Sequence, residues 1–323
     1  MKNLCVKCLC LFIVMGFAIN GYAKEPLEPV TIQLNWLPNV EFAGILIAKE
    51  KGWYEEAGID LIIKSWKPGI SFIDEVVSGN AHIGVTEGAD LIRAGADKKM
   101  IKAISVHFQK PPGCLISKKE KGIDSPEKIK GKKVGINQDE VVMMKTVLAN
   151  LGLRYEDITP VETESDVQSL VDDKIDACVG YMNGEPLSMK EKGYEMNVIP
   201  LFKYGYDFYA GVVFTTDRMI KENPKLIQKF MNVTLRGWKE AFREPAATAK
   251  LVVEKFYPKG SVSQQTESLK IFKHLATMGI GESLVGYMEE QFWQKGIDIM
   301  YQFKQIEKKI PASDVFTLEF LKK

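Results

Sequence analysis

The sequence predicts an α/β protein of two similar lobes, each a mostly parallel sheet flanked by helices, with a cleft between them. Three observations carry that expectation. Strands and helices alternate from Val30 to Val85, and the same order recurs from Lys133 to Tyr181. Two short apolar runs, Gly113–Lys118 and Gly211–Thr216, are suited to carry the chain from one lobe to the other.

The β-branched and apolar run Val30–Trp36 reads as a first strand, and Phe42–Tyr54 carries helical spacing that stops at Gly58. A strand at Ile59–Ser65, a helix at Ile70–Val77 ended by Ser78-Gly79, and a strand at His82–Val85 complete the first set. The second set reads as a strand at Lys133–Ile136, a helix at Val141–Asn150 before Gly152, and an extended segment at Ile158–Glu162. A helix at Val167–Asp172 and a strand at Ile175–Tyr181 close it. Residues 77–85 and 171–179 even end on similar phrases, which points to a duplicated unit. Beyond Asn223 the pattern is helical, over Pro224–Phe242, Ala246–Phe256 and Glu267–Met278. That tail is expected to buttress the first lobe. The expected division is 1–23 as an export signal, 24–112 with 217–323 as a discontinuous first lobe, and 113–216, crossover strands included, as the second.

Lys2 and Lys7 precede an apolar stretch from Cys8 to Ile19 and a Gly21-Tyr22-Ala23 end, the layout of a cleaved secretory signal. The stretch is well short of the roughly 20 apolar residues that span a bilayer. Without Lys2 and Lys7, the formal charge of +1 becomes −1, which offers no basic face for a nucleic-acid partner. Cys114 and Cys178 alone of the five cysteines follow the signal, too few for a disulfide framework or a structural zinc site, and they read as buried thiols. With His82, His107 and His274 far apart, no histidine metal site is expected. No phosphate loop, His-Glu-x-x-His or serine-triad pattern occurs, so neither a catalytic set nor a cofactor is expected. His82, among apolar neighbours, reads as structural. Asn232-Val233-Thr234 matches a glycosylation sequon but falls inside a predicted helix.

In open parallel sheets ligands sit beyond the carboxyl ends of strands, so those positions nominate the site. They give Asn35, Trp36 and Asn39 after the first strand, and Thr86 and Glu87 after the third. Phe108 and Gln109 precede the first crossing. Tyr181, Asn183 and Glu185 end the second lobe's third strand, and Tyr206, Asp207 and Phe208 precede the second crossing. Gln138-Asp139-Glu140 occupies the corresponding turn of the second lobe. Aromatic faces beside amides and acids suit a flat nitrogen-rich ring, with the acids disfavouring an anion. Each position has a plainer reading. Trp36 is equally suited to core packing, Glu185 and Asp139-Glu140 to the acid-favouring first turn of a helix, and the Tyr206–Tyr209 cluster to a hinge seam.

Taken in order, several phrases resemble the periplasmic binding proteins related to thiamine pyrimidine synthase, and more distantly the sulfonate binders. They are Gln33-Leu34-Asn35-Trp36 with Pro38-Asn39, Ala43-Gly44, Ala48–Tyr54, Ala57–Asp60, Val76–Gly79, Gly131–Val134, Asn183-Gly184-Glu185-Pro186, Tyr206–Tyr209 and Arg236-Gly237-Trp238. The resemblance runs from about Val30 to Phe242. It implies a type II periplasmic-binding fold, a small heterocyclic ligand such as a thiamine pyrimidine precursor, and a membrane permease of an ABC-type importer or a membrane sensor as partner. The synthase branch of that family uses a Schiff-base lysine, a histidine and a cysteine cluster. Aligned here, those positions hold Thr86, Asp90 and the cysteine-free segment Tyr204–Tyr209, so the resemblance implies binding rather than synthesis. Where sulfonate binders of the family offer small residues for an anion, this chain has Gln138-Asp139-Glu140.

Overall fold

The computed structural model describes residues 26–163 and 167–321, so the export-signal reading of 1–23 lies outside the described residues. The chain opens on β1 (Glu28–Gln33), whose alternating side chains Val30 and Ile32 are fully buried. The expected single helix after it is broken in two, α1 (Ala43–Glu50) and α2 (Trp53–Glu56), because Gly52 takes a left-handed conformation at φ 71°. Next come β2 (Ile59–Lys64), α3 (Phe72–Val77) with Ser71 capping its first turn, β3 (Ile83–Thr86), α4 (Gly88–Ala96) and β4 (Ile101–Phe108).

The chain then crosses into the second lobe along β5 (Gly113–Lys118) and builds β6 (Lys133–Ile136), α5 (Val141–Asn150), β7 (Thr159–Glu162), α6 (Gln168–Val171), β8 (Ala177–Tyr181), α7 (Glu185–Glu191) and β9 (Met196–Pro200). It returns along β10 (Ala210–Thr216). The chain ends in α8 (Asp217–Glu222), α9 (Pro224–Arg243), α10 (Pro245–Lys255), α11 (Val262–Thr277) and α12 (Glu290–Gln302). The sequon residue Thr234 is buried within α9.

The two sheets have the same plan. The first runs β2-β1-β3-β10-β4 and the second β7-β6-β8-β5-β9, with the first three strands of each parallel and the crossing strand antiparallel to both its neighbours. Strand β10 corrects the expected division. It pairs with β3 and β4, so 210–216 belongs to the first sheet and the second lobe ends before it. His82 is structural, since its Nδ1 accepts the Thr31 amide at 2.9 Å.

Helices α1 and α9 meet where neither has a side chain between them. A Cβ on Gly237 would lie 1.9 Å from the Gly44 carbonyl oxygen, and one on Gly44 would lie 2.5 Å from the Trp238 ring. That contact seats Trp238, itself 1% exposed, against Phe108 and Phe242 in the core of the first lobe.

Where the two crossings pass, Lys110 from the outgoing segment donates to both Asp207 carboxylate oxygens at 2.7 and 2.9 Å. Lys295 from α12 donates to Asp207 at 2.9 Å. Lys110 also lies over the Phe292 ring, 4.3 Å from its centre. Both connections between the lobes are thereby tied to one helix of the first.

Two stability outcomes follow. Gly237→Ala should lower unfolding free energy by about 2–3 kcal/mol in urea titrations, because backbone opposes the new methyl group. Asp207→Ala leaves two lysines facing each other and should cost about 2–3 kcal/mol, Lys295 being half exposed.

Candidate functional site

The parallel strands of each sheet end on the same side of their lobe, and the loops beyond them face each other across the cleft. After β1, Asn35 turns its amide to Glu87 beyond β3, with Nδ2 3.3 Å from Oε1. Asn35 Oδ1 is buried and has no hydrogen-bond partner, and so is Oγ1 of the fully buried Thr86. Across the cleft, Asn183 Oδ1 is buried and unpartnered too. Native interiors rarely leave such atoms unsatisfied, and in a cleft they mark where a guest would complete the bonding.

Trp36 is 44% exposed rather than core, and its ring lies 5.0 Å from that of Trp66, tilted by 36°. Trp66 follows β2 as Trp36 follows β1, so the two make an aromatic lip on the first lobe. Tyr181 at the end of β8 faces it from the second lobe, 39% exposed. Its phenol is pushed well above the usual range by burial of the hydroxyl and by the nearby carboxylates Glu140, Glu87 and Glu185. That side chain therefore lies near acids of both lobes.

Among the described residues, Glu41, Glu87 and Glu185 form no ion pair with a lysine or arginine. Glu87 accepts from Asn35 and from the Gly211 N–H, yet burial and the neighbouring charges of Glu41 and Asp90 keep its carboxyl far above the ordinary range. Glu41, on the turn capped by Asn39, is raised by burial to about 7. Glu185 opens α7, accepts the Tyr181 N–H at 2.8 Å, and is raised by burial as well. Tyr206 stands at the hinge side of this group, its phenol raised by burial and by Asp90 and Glu87.

Of the nominated residues, Asn35 bonds Glu87, Glu185 bonds the Tyr181 amide, and Tyr181 lies near Glu87 and Tyr206, while Trp36, Thr86 and Asn183 are neighbours of these along the chain. Four nominated residues are not available to a guest. Phe108 is 1% exposed and stacks on Phe272 at 4.4 Å inside the first lobe. Gln109 donates to the Tyr287 carbonyl and, through its backbone, to Leu275. Asp207 is neutralised by Lys110 and Lys295. Phe208 is 5% exposed and packs toward Gly296 of α12. Asn39 spends its side-chain oxygen on the Glu41 amide at 2.7 Å, so it shapes the turn. Two residues of the cleft were not nominated, Glu41 and Trp66. The strand-end rule applied to β2 would have found Trp66. Glu41 carried only the hint of an acid two residues beyond a loop asparagine.

Each lobe of the cleft also offers helix N-termini, and each is already occupied by an acid of the chain. Glu87 is at the N-cap of α4, and Glu140 at that of α5 accepts the Asn137 amide at 3.0 Å. Glu185 begins α7.

With this geometry in place, residues 39–248, more than half of the chain, match the NMT1/THI5-like family model. The chain belongs to that family. It is 24% identical to riboflavin-binding protein RibY of Chloroflexus aurantiacus, over 93% of this chain and 88% of that one. It is 23% identical to the formylaminopyrimidine-binding protein of Halalkalibacterium halodurans, over 95% of both. A 4-amino-5-hydroxymethyl-2-methylpyrimidine phosphate synthase of Legionella pneumophila is 26% identical over 70% of this chain and 73% of that one. Among solved structures, the periplasmic aliphatic sulphonate binding protein SsuA of Escherichia coli superposes with a TM-score of 0.69 at 13% identity, over 89% of this chain and 91% of that one. The fold of this NMT1/THI5-like chain is accordingly the two-lobed periplasmic-binding-protein fold. Of the positions the synthase resemblance assigns, Thr86 is fully buried and Asp90 is engaged by Arg93 at 2.7 Å.

A carboxyl raised on folding is stabilising while protonated, so its contribution is full below the unfolded value and lost as pH rises through the folded one. For Glu41 that window runs from about 4.5 to about 7. The ligand-free protein should therefore lose on the order of 1–3 kcal/mol between pH 5 and pH 8 in thermal or urea unfolding, and Glu41→Gln should flatten that slope.

Proposed function

We propose that this protein is an exported solute-binding protein that captures a small nitrogen heterocycle between its lobes and presents the closed form to a membrane permease of an ABC-type importer. The observation that carries the reading is the set of buried, unpartnered amide oxygens on Asn35 and Asn183 at strand-end loops of the two lobes, with the exposed Trp36 and Tyr181 and the half-buried Trp66 beside Trp36. A flat ring stacked on the Trp36 side gains its edge contacts to Asn183 and Glu185 only when the lobes meet. That differential contact is what a ligand needs to shift the equilibrium toward closure. Relatives named for binding riboflavin and formylaminopyrimidine support the ligand class, and thiamine pyrimidine precursors lead within it. The signal-like sequence of 1–23 and the periplasmic neighbour support a periplasmic location. A membrane sensor reading the same closed form is the alternative partner.

The rival reading is a pyrimidine-phosphate synthase, as in the Legionella relative. Schiff-base chemistry there requires a lysine, and the matched position is Thr86.

Native mass spectrometry of protein purified with its endogenous ligand identifies the guest. Trp36→Ala and Glu185→Ala should each weaken that ligand at least about tenfold by calorimetry, equivalent to about 1.4 kcal/mol. Unchanged affinity in both variants would sink the reading. Added pyridoxal phosphate should give no Schiff-base absorbance, and its appearance would favour the synthase.

A further inference from the structure

Helix α11 starts at Ser261, whose hydroxyl accepts the Gln264 amide at 3.2 Å and donates to Glu191 of α7 at 3.3 Å. The two glutamines of that first turn reach to different lobes. Gln264 donates through Nε2 to the Gly184 carbonyl at 3.4 Å, where α7 of the second lobe begins. Gln265, 7% exposed, accepts the Val40 amide on Oε1 at 3.1 Å, in the first-lobe turn that follows Asn39. Gly184 adjoins Asn183, and the loop of Asn35 and Trp36 runs into Val40. One turn of helix therefore holds both strand-end loops that carry candidate ligand residues. Apolar packing joins the lobes at the same place. Met182, two residues before Gly184, packs at once against the core of the first lobe and against the second-lobe cluster of Cys114, Ile116 and Cys178, and Phe202 also reaches the first-lobe core.

We infer that Gln264 and Gln265 are positioning residues that form a clamp on lobe closure, Gln265 fixing the first-lobe loop and Gln264 catching the second-lobe turn as it arrives. This clamp rests on the proposed reading of the cleft for what the loops hold, and adds the device that regulates their approach. The bonds differ in kind. The Val40–Gln265 bond is buried and lies within one lobe, so breaking it would strand an N–H out of water, and it persists through a hinge motion. The Gln264–Gly184 and Ser261–Glu191 bonds join different lobes, are longer and reach solvent, so water replaces them at little cost. A weak catch of that kind biases a hinge without locking it. A bias toward closure raises the apparent affinity for whatever the closed cleft holds, in proportion to the fraction closed.

The test reads the distance between the lobes in the ligand-free, full mature chain by pulsed electron resonance. Nitroxide labels sit on Lys67→Cys in the first lobe and Lys145→Cys in the second, both exposed positions, while Cys114 and Cys178 are buried. The protein with Gln264 intact is expected to show a dominant short distance. Gln264→Ala should at least about double the share of a longer one. Gln264→Glu should do so more strongly, because a carboxylate then faces a carbonyl, and Gln264→Lys, which keeps a donor, should restore the short distance. Equal urea midpoints across these variants separate the shift from loss of fold. On the first-lobe side, Gln265→Leu should speed amide exchange over residues 36–42 at least about tenfold, and Gln265→Glu, which keeps an acceptor, should not. A longer distance alone before any substitution, distances that ignore all three Gln264 variants, Lys no better than Glu, or unchanged exchange in Gln265→Leu each overturns the clamp. In native mass spectrometry the share of protein retaining its endogenous ligand should fall with Gln264→Glu and recover with Gln264→Lys. If ligand is retained while the distances do not respond, the clamp alone is wrong. If the distances respond and no form captures a ligand, the clamp stands and the reading of the cleft as a ligand site falls.

Discussion

The return of the chain along β10 is the constraint on which the rest of the molecule depends. That strand lies antiparallel between β3 and β4, so the first sheet is completed only after the second lobe has been made. Its entry segment carries Asp207 to the two lysines, and Gly211, in β10 itself, lies beside Glu87. Gly211 sits at φ 58° with His107 directly beneath, since a Cβ there would lie 2.9 Å from that of His107. A larger residue would displace the strand and the donor together. One short segment therefore closes a sheet, ties the hinge and helps to set the position of a cleft carboxyl.

The cleft keeps acids and amides out of water without satisfying them, which costs free energy that the sheets and the α1–α9 contact must supply. Such a deficit is tolerated where binding removes it. Contacts between the lobes include Met182 and Phe202 packed against the first lobe's core and, on the α11 side, polar bonds. Gln264 donates to the Gly184 carbonyl at 3.4 Å and Ser261 to Glu191 at 3.3 Å. Bonds of that kind are easily exchanged for water, as a hinge motion requires.

How much was legible in the sequence followed from which physical rule a residue obeyed. Strand β6 and helix α5 fall where period and glycine placement predict them, and β5 likewise, because local pattern alone sets such elements. Strands β4 and β9 and helices α4 and α12 were not read, their apolar runs being short or shared with neighbouring turns. In the site, topology carried Asn35, Trp36, Glu87 and Asn183 to the cleft. Strand ends meet there whatever the side chains are. The failures came where facing mattered. Phe108 and Phe208 stand at strand or crossover ends but point into the core, a choice made by packing against α11 and α12. Asp207 was lost for another reason, since its lysine partners lie 97 and 88 residues away and no local pattern announces them.

The likeness to a sulphonate binder and the acids of this cleft fit together once the helix ends are considered. Helices α4, α5 and α7 each begin where a strand ends, so their positive N-terminal ends face the cleft, an arrangement suited to an anion. In this chain Glu87, Glu140 and Glu185 stand at those three positions, Glu140 being 3% exposed and Glu185 bonded to the Tyr181 amide. Each of these acids thus stands beside a helix start without capping its free N–H groups. The shared fold supplies the two lobes and the hinge, and this chain sets an acid at each of three helix starts.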